Sequence, residues 1–489
     1  MTATRTASPA ERDLTVHERS LADNCFDEGQ YEAAIAALDE IRSRKSKPYD
    51  AHIRQLLYIA LYPEPSLEDQ IEEEAMKLEP GSPSKTLSRR HKSSLAPSPK
   101  VTAAAQDLLM KFARTNTPGS LACALPAYPD NADAPAGNGA GLEDSHIARE
   151  ALRVRNARCC WEIIREGFIQ RGNGDVMASP RKTKGRRSTR MQDEDDEVGE
   201  WENGAAPAPV SDHAWSVLDW ILTLFESDEA ATKLHYSRLL LRQIPPSRPE
   251  TAPRWDMRMP LDVVFHALEQ EHEAQRSLGI RLLTLLINLT STPFVDFPMF
   301  LNAVSARVSS LPIDALSYLF AALPLTHTIA RFKIMLCRHA LGGNQAASSS
   351  KPKPQARAHE PSPTSAPPRD GAGSGGGVTG GSSGTSKYPS VSVSDLLALL
   401  GRPSKDPASV LQTICFKSEL VVNFGLLQLE SEDANDRDAG WRDALQDGSL
   451  RRTVEDVFEI GRQATPTDTH SKELIRTKRD AILAIMSTW

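Results

Sequence analysis

Residues 278–341 read LGIRLLTLLINLTSTPFVDFPMFLNAVSARVSSLPIDALSYLFAALPLTHTIARFKIMLCRHAL. Pro293, Pro298, Pro312 and Pro324 cut this run into short pieces. Proline has no amide proton and clashes with the turn before it, so each one marks a helix boundary. Within the pieces, apolar residues recur at helical spacing. Phe300, Val304, Val308 and Leu311 make one face; Leu316, Leu319 or Phe320, and Leu323 make another. Thr326 is placed to cap a last helix through Met335 to Leu341, with Gly342-Gly343 as its stop. Connections of a few residues make consecutive helices antiparallel neighbours. The run therefore predicts a stack of short helices. It holds few ionisable groups and no catalytic string, so it reads as a packing surface rather than a reaction centre.

Residues 277–289 are apolar except for Ser277, Arg281, Thr284 and Asn288. Those four fall on one narrow stripe of a helix, and a helix apolar on its other sides is buried in a domain. Two readings of the stripe stand: it satisfies loop backbone inside the stack, or Arg281, Thr284 and Asn288 line a groove that a partner enters. Upstream, Ser211 or Asp212 caps a helix carrying Trp215, Leu218, Leu222 and Phe225. A second helix is expected around Leu234 to Ile244, ending at Pro245-Pro246, and a third begins near Pro260. A central α-helical stack thus spans 211–343.

Residues 14–79 also read as helices. Leu21, Ala22, Cys25, Tyr31, Ala34, Leu38 and Ile41 take the packing positions of a helical hairpin with Gly29-Gln30-Tyr31 at its turn. Small Ala22 and Ala34 let the two helices approach while larger residues interlock around them. This hairpin resembles a tetratricopeptide (TPR) unit, although no second copy follows at a period of roughly 34 residues. The central stack resembles HEAT or armadillo architecture. No family motif covers the chain.

Between these parts lie segments of different composition. A disordered tail is expected at 1–13, a basic linker at 80–100, a helix at 101–115, a loop at 116–144 and one long helix at 145–172. A disordered basic and acidic linker follows at 173–210, and a disordered Ser/Gly/Pro loop at 344–390. In the C-terminal helical segment, 391–489, Ser394 is expected to cap a helix beginning Leu396-Leu397. Asp406 to Leu429, Leu450 to Ile460 and Glu473 to Met486 supply further apolar or helical stretches that pack back onto the main stack. The fold class is all-α: a discontinuous helical-repeat-like (TPR/HEAT/armadillo-type) stack interrupted by long disordered loops.

The 489 residues include 34 Pro and 28 Gly, concentrated in those linkers, so the folded fraction is smaller than the length suggests. A net charge of -7 argues against wholesale nucleic-acid binding. The cysteines Cys25, Cys123, Cys159, Cys160, Cys337 and Cys415 fit no zinc spacing and read as reduced thiols of an intracellular protein. Met1 to Arg12 has no apolar core of a secretory signal. The longest apolar helix, Leu282 to Leu289 with its flanks, falls short of the ~20 residues a membrane span needs. A soluble chain with no membrane partner is expected.

The sharpest local signal is Arg181-Lys182-Thr183-Lys184-Gly185-Arg186-Arg187-Ser188-Thr189-Arg190, followed at Asp193 to Glu197 by five consecutive acids. An exposed basic string of this kind suits nuclear import, through Arg181, Lys182, Lys184, Arg186, Arg187 and Arg190. The acidic block partly neutralises it and weakens a DNA-binding reading. Ser82-Pro83-Ser84-Lys85 and Ser179-Pro180-Arg181-Lys182 resemble the site preferred by cyclin-dependent kinases, and Ser98-Pro99-Lys100 is a shorter variant. Phosphate on Ser179 would add about -1.5 to -2 charge beside the basic string.

Enzyme signatures such as a Walker loop, GxGxxG after a strand, HExxH or GxSxG do not occur. His266, Glu269, Glu271, His272 and Glu273 read as an exposed helix face rather than a metal site, and Trp215 and Trp220 as core. No catalytic, cofactor or metal site is assigned. The expectation is a non-enzymatic α-helical scaffold that binds protein partners in the nucleus, with shuttling to the cytoplasm. The alternative is a chromatin or nucleic-acid protein whose basic linkers contact phosphates. An enzyme on a helical fold without a familiar motif is a third class.

Overall fold

Helix follows helix in the computed structural model, which describes residues 11–65, 95–128, 145–170, 206–232, 234–247, 252–342, 391–404, 409–430, 438–464 and 469–489. The expected basic string, Ser82, Ser179 and the 344–390 loop lie outside the described residues. The chain is predominantly helical, as its all-α patterning predicts. It divides into two units, residues 1–296 and 297–489. That boundary falls inside the 211–343 stretch.

In the first unit, α1 (Val16–Asp27) starts on a capping box. Thr15 Oγ1 accepts from the Glu18 amide at 3.3 Å, and Glu18 accepts from the Thr15 amide at 2.7 Å. Gly29, with φ 72, turns the chain into α2 (Tyr31–Ile41). Ala22 and Ala34 are fully buried between the pair, and of the larger expected interlocking residues Tyr31 and Leu38 are buried. The other three depart from the expectation: Leu21 is 49% exposed, and Cys25 and Ile41 are half-buried. Residues 11–13, the described end of the expected tail, also differ from expectation. Arg12–Asp13 (β1) pairs in parallel with Ser46–Lys47 (β2), and the Glu11 carboxylate accepts from the Thr117 amide at 2.8 Å. Those tertiary bonds order a segment whose composition alone predicts none.

Next come α3 (Asp50–Ala60), α4 (Pro99–Thr115), α5 (Pro118–Ala122), α6 (His146–Asn156) and α7 (Cys160–Ile163). α3 packs between α4 and α6 and is buried almost all round. The linker expected to reach residue 100 ends at Ser98, which caps α4, and the loop expected after 115 contains α5. The long helix expected at 145–172 is broken at Ala157–Cys159. Gln243 is the reason: its Oε1 accepts from the Cys160 amide at 2.8 Å, and its carbonyl accepts from Trp161 Nε1 at 3.1 Å.

A short 3-10 turn at Asp212–Ala214 leads into α8 (Trp215–Thr232), followed by α9 (Arg238–Leu241), α10 (Arg258–Leu268) and α11 (Glu273–Thr290). α9 is much shorter than expected. Buried Asp228 accepts from Ser237 Oγ at 2.8 Å and from the Leu239 amide at 3.0 Å, fixing where it begins. The Arg254 guanidinium then takes the Leu241 and Ile244 carbonyls, fixing where it ends. The His266–Glu273 segment is not one helix, since Glu269–His272 form the turn between α10 and α11. At Gly279 a Cβ would lie 2.9 Å from Ala267 Cβ and 3.0 Å from the Val264 carbonyl, so only glycine admits the observed approach of α10 and α11.

The second unit holds α12 (Phe297–Val308), α13 (Ile313–Ala322), α14 (His327–Gly342), α15 (Val393–Leu400), α16 (Val410–Glu430), α17 (Ala439–Gln446), α18 (Ser449–Ala464) and α19 (Thr469–Met486). Thr326 Oγ1 accepts from the Ile329 amide at 3.3 Å, as the sequence predicts. The cap of α15 is Ser392 rather than Ser394, in a reciprocal pair with Asp395. α14 packs along α16, joining residues on both sides of the 343–390 interval. Between them Lys333, only 2% exposed, donates to the Phe320 carbonyl at 2.6 Å and lies 3.7 Å from Glu419. By length and composition α16 could cross a bilayer, which corrects the expectation that no apolar helix is long enough. Its charged Lys417 and Glu419 break the hydropathy of the sequence run, and most of its surface is buried within the unit.

Candidate functional site

The polar stripe of α11 faces α8. Ser277 at its start is exposed, whereas Arg281, Thr284 and Asn288 are half-buried. Arg281 grips Glu226 with two donors, Nε to Oε1 at 2.7 Å and Nη2 to Oε2 at 2.8 Å. It also donates to Asp219, and to Thr223 Oγ1 at 3.2 Å. The planar guanidinium fork matches a carboxylate in this way where a lysine would not. Asn288 Nδ2 donates to Glu229 Oε1 at 2.8 Å. Thr284 turns inward to its own helix and donates to the Ile280 carbonyl at 2.8 Å. The stripe thus forms a charge-paired seam between two helices. It does not serve loop backbone, and Arg281 and Asn288 spend their donors on α8.

Partners along α8 advance as α11 advances, from Asp219 and Glu226 at Arg281 to Glu229 at Asn288. The two helices therefore run in the same direction and finish side by side. Helix C-termini carry partial negative charge, taken up in part here by Thr290, Ser291 and Thr292 on α11 and by Thr232 on α8. Glu229 adds a carboxylate there, and its hydrogen-bond partner is a neutral amide. Burial pushes the Glu229 carboxyl above its ordinary range, Asn288 opposes this, and nearby Glu226 adds to it. Arg281 is pushed the other way from neutrality: the hydrogen bond to Glu226, ahead of burial, which opposes, and of Asp219, raises its already high value.

The chains leaving the two helices meet at aromatic residues. Tyr236, beyond α8, and Phe294, beyond α11, lie in tilted ring contact with centroids 5.9 Å apart. Arg254 and Val295 form a parallel bridge, with the Arg254 amide donating to the Phe294 carbonyl at 2.7 Å and the Asp296 amide donating to the Arg254 carbonyl at 2.9 Å. Val295 is fully buried, so strand alternation puts Trp255 and Phe294 on the opposite, outward face. Trp255 is 59% exposed and Phe294 45%. Large aromatic surface left in water where two helices end, near the Glu229 carboxylate, is not explained by packing among the described residues.

No known protein family, curated protein or solved structure matches the chain. Geometry therefore carries the functional reading.

The other candidates read from the sequence fall elsewhere. Ser98 is exposed, but it is held in a folded junction: its Oγ accepts from the Val101 amide at 3.3 Å, Pro97 beside it is buried, and Tyr31 donates to the Leu95 carbonyl at 2.8 Å. Cys159, Cys160, Cys337 and Cys415 are buried thiols, and burial raises all four. Cys25 is half-buried and Cys123 exposed. Trp215 and Trp220 are core, Trp215 stacking on His266 at 5.8 Å. Among the described residues, no three His, Cys, Asp or Glu side chains gather as a metal-binding group. A cavity of about 10 Å³ beside His52 has room for no more than a water. Sequence reasoning found the stripe and missed the aromatic patch. Trp255 and Phe294 lie far apart in the chain, and only Pro253 and Pro293 just before them hinted at matching extended segments.

Proposed function

We propose that this protein is a non-enzymatic helical scaffold that binds protein partners in a nuclear complex. One observation carries the reading: the outward Trp255–Phe294 surface at the shared end of α8 and α11. Rigid aromatic side chains exposed on a well-packed support are what dominate protein interfaces, because they bury much area with little entropy loss. The helices beneath it, held by the Arg281 seam and the close α10–α11 contact, supply that rigidity. We read the helical pairs α1–α2 and α10–α11 as units of a repeat-like stack of the TPR, HEAT or armadillo type. Nuclear entry is assigned to the basic string from Arg181 to Arg190, with Ser179 as a phosphorylation point that adjusts it.

Purification of the tagged full-length protein from its own cells, followed by identification of co-purifying chains, tests the scaffold reading. A stoichiometric partner is expected; its absence across salt conditions counts against a scaffold. Replacing the six basic residues by glutamine should shift a fluorescent fusion out of the nucleus. An unchanged distribution removes the import assignment, and identical behaviour of Ser179→Ala and Ser179→Glu removes the phosphorylation one.

A further inference from the structure

We propose that the C-terminal ends of α8 and α11, with Glu229 and the rings of Tyr236, Phe294 and Trp255, form a docking site for an arginine- or lysine-bearing segment of a protein partner. The inference rests on the scaffold reading for the existence of a partner and adds its chemistry. Charge complementarity selects the occupant. Across the seam, Asp219, Glu226 and Glu229 face a single guanidinium, that of Arg281, and Arg281 is consumed by Asp219 and Glu226. Glu229 is left with the Asn288 amide as its hydrogen-bond partner. Two parallel helix ends, their last carbonyls partly satisfied by Thr232, Ser291 and Thr292, add a residual negative charge at the same place. A cation placed there gains from each of these, whereas an acidic or purely apolar segment would leave half-buried Glu229 with the Asn288 amide and the nearby imidazole of His235, among the described residues, to offset its charge.

The aromatic rings extend the same preference. Ring faces are negative and attract guanidinium or ammonium groups, most strongly on tryptophan. Trp255 and Phe294 are largely in solvent, and among the described residues no cation sits over either ring. An extended segment lying across the patch can set a cation at Glu229 and apolar or basic side chains on Trp255 and Phe294. The Arg254–Val295 bridge and the Tyr236–Phe294 contact hold the receiving surface in place before binding, which limits its ordering cost.

The test uses the full-length protein and three short fluorescently labelled peptides of matched length, carrying several arginines, lysines or glutamines. The arginine peptide should bind at least tenfold more tightly than the glutamine one, and its affinity should fall as salt rises. Trp255→Ala and Glu229→Gln should each weaken arginine-peptide binding by roughly five- to tenfold. Trp255 is largely exposed, so its variant should melt as the wild type does, which separates lost binding from lost folding. Equal binding of the arginine and glutamine peptides, or full binding by both variants, overturns the proposal. Binding that emerges only after the basic residues of 181–190 are changed to glutamine also overturns it, because the occupant is then the chain's own segment. A stoichiometric partner whose recovery ignores Trp255→Ala sinks this site and leaves the scaffold reading standing. Peptide binding with no stoichiometric partner does the reverse.

Discussion

Replacing Lys417 with methionine should stabilise the second unit near neutral pH. Lys417 lies in α16, is 4% exposed, and donates to the Arg402 carbonyl at 2.6 Å. Burial pulls its ammonium down from 10.5 to about 8, with no carboxylate opposing that pull. The gap is worth ~3 kcal/mol, the cost of keeping a desolvated charge in the folded state below both values. Methionine matches the stem and carries no charge, but forfeits a hydrogen bond of ~1 kcal/mol. The net gain at neutral pH is ~2 kcal/mol. The sign with pH follows from proton counting. Between about 8 and 10.5 the unfolded chain binds more protons at Lys417 than the folded one does. Wild-type stability therefore rises relative to the variant across that window. Above it the order reverses, and wild type leads by the retained hydrogen bond. Urea unfolding at about pH 7 and about pH 10, read by labelling of buried Cys337 and Cys415, follows this unit alone. A variant that is less stable at neutral pH, by an amount that does not change with pH, would refute the reasoning.

Three further outcomes follow from packing and capping. Gly279→Val should cost several kcal/mol, and Gly279→Ala ~1 kcal/mol despite the better helix propensity of alanine, because the Val264 carbonyl cannot move aside; a stabilised Gly279→Ala would show that α10 and α11 can part freely. Arg281→Met should cost ~1–2 kcal/mol rather than the ~3–5 of a buried pair, since Asp219 and Glu226 are 38% and 41% exposed and can be rehydrated; urea melts at low and high salt measure it, and a loss beyond ~3 kcal/mol contradicts the half-buried seam. Ser98→Ala should cost ~1 kcal/mol through loss of the α4 cap, readable as faster amide exchange in the first turn after Pro99; unchanged exchange there contradicts the cap.

Local signals carried most of the fold into the sequence. Prolines placed the boundaries of α12, α13 and α14, Thr326 announced its cap, and the alanine pair with Gly29 announced the first hairpin. What stayed hidden depends on residues distant in the chain. Gln243 breaks the 145–172 helix from more than seventy positions away, Asp228 and Arg254 set both ends of α9, and the Glu11 bond to Thr117 ties down a short segment of unremarkable composition at 11–13. The site divides the same way. A periodic stripe on one helix was legible, but its carboxylate partners on α8 were not, because acids at Asp219, Glu226 and Glu229 read equally well as a solvated face. The exposed aromatics could not be told from core aromatics until the Arg254–Val295 bridge showed which way they turn.

If the Trp255–Phe294 surface meets another protein in the cell, a photo-crosslinking amino acid placed at position 255 of the full-length protein will capture it. The same amino acid at exposed Leu325 serves as comparison. The expected result is a discrete protein adduct at 255 that is absent at 325 and is reduced by Glu229→Gln. No adduct at 255, or the same adducts at both positions, would contradict the docking surface.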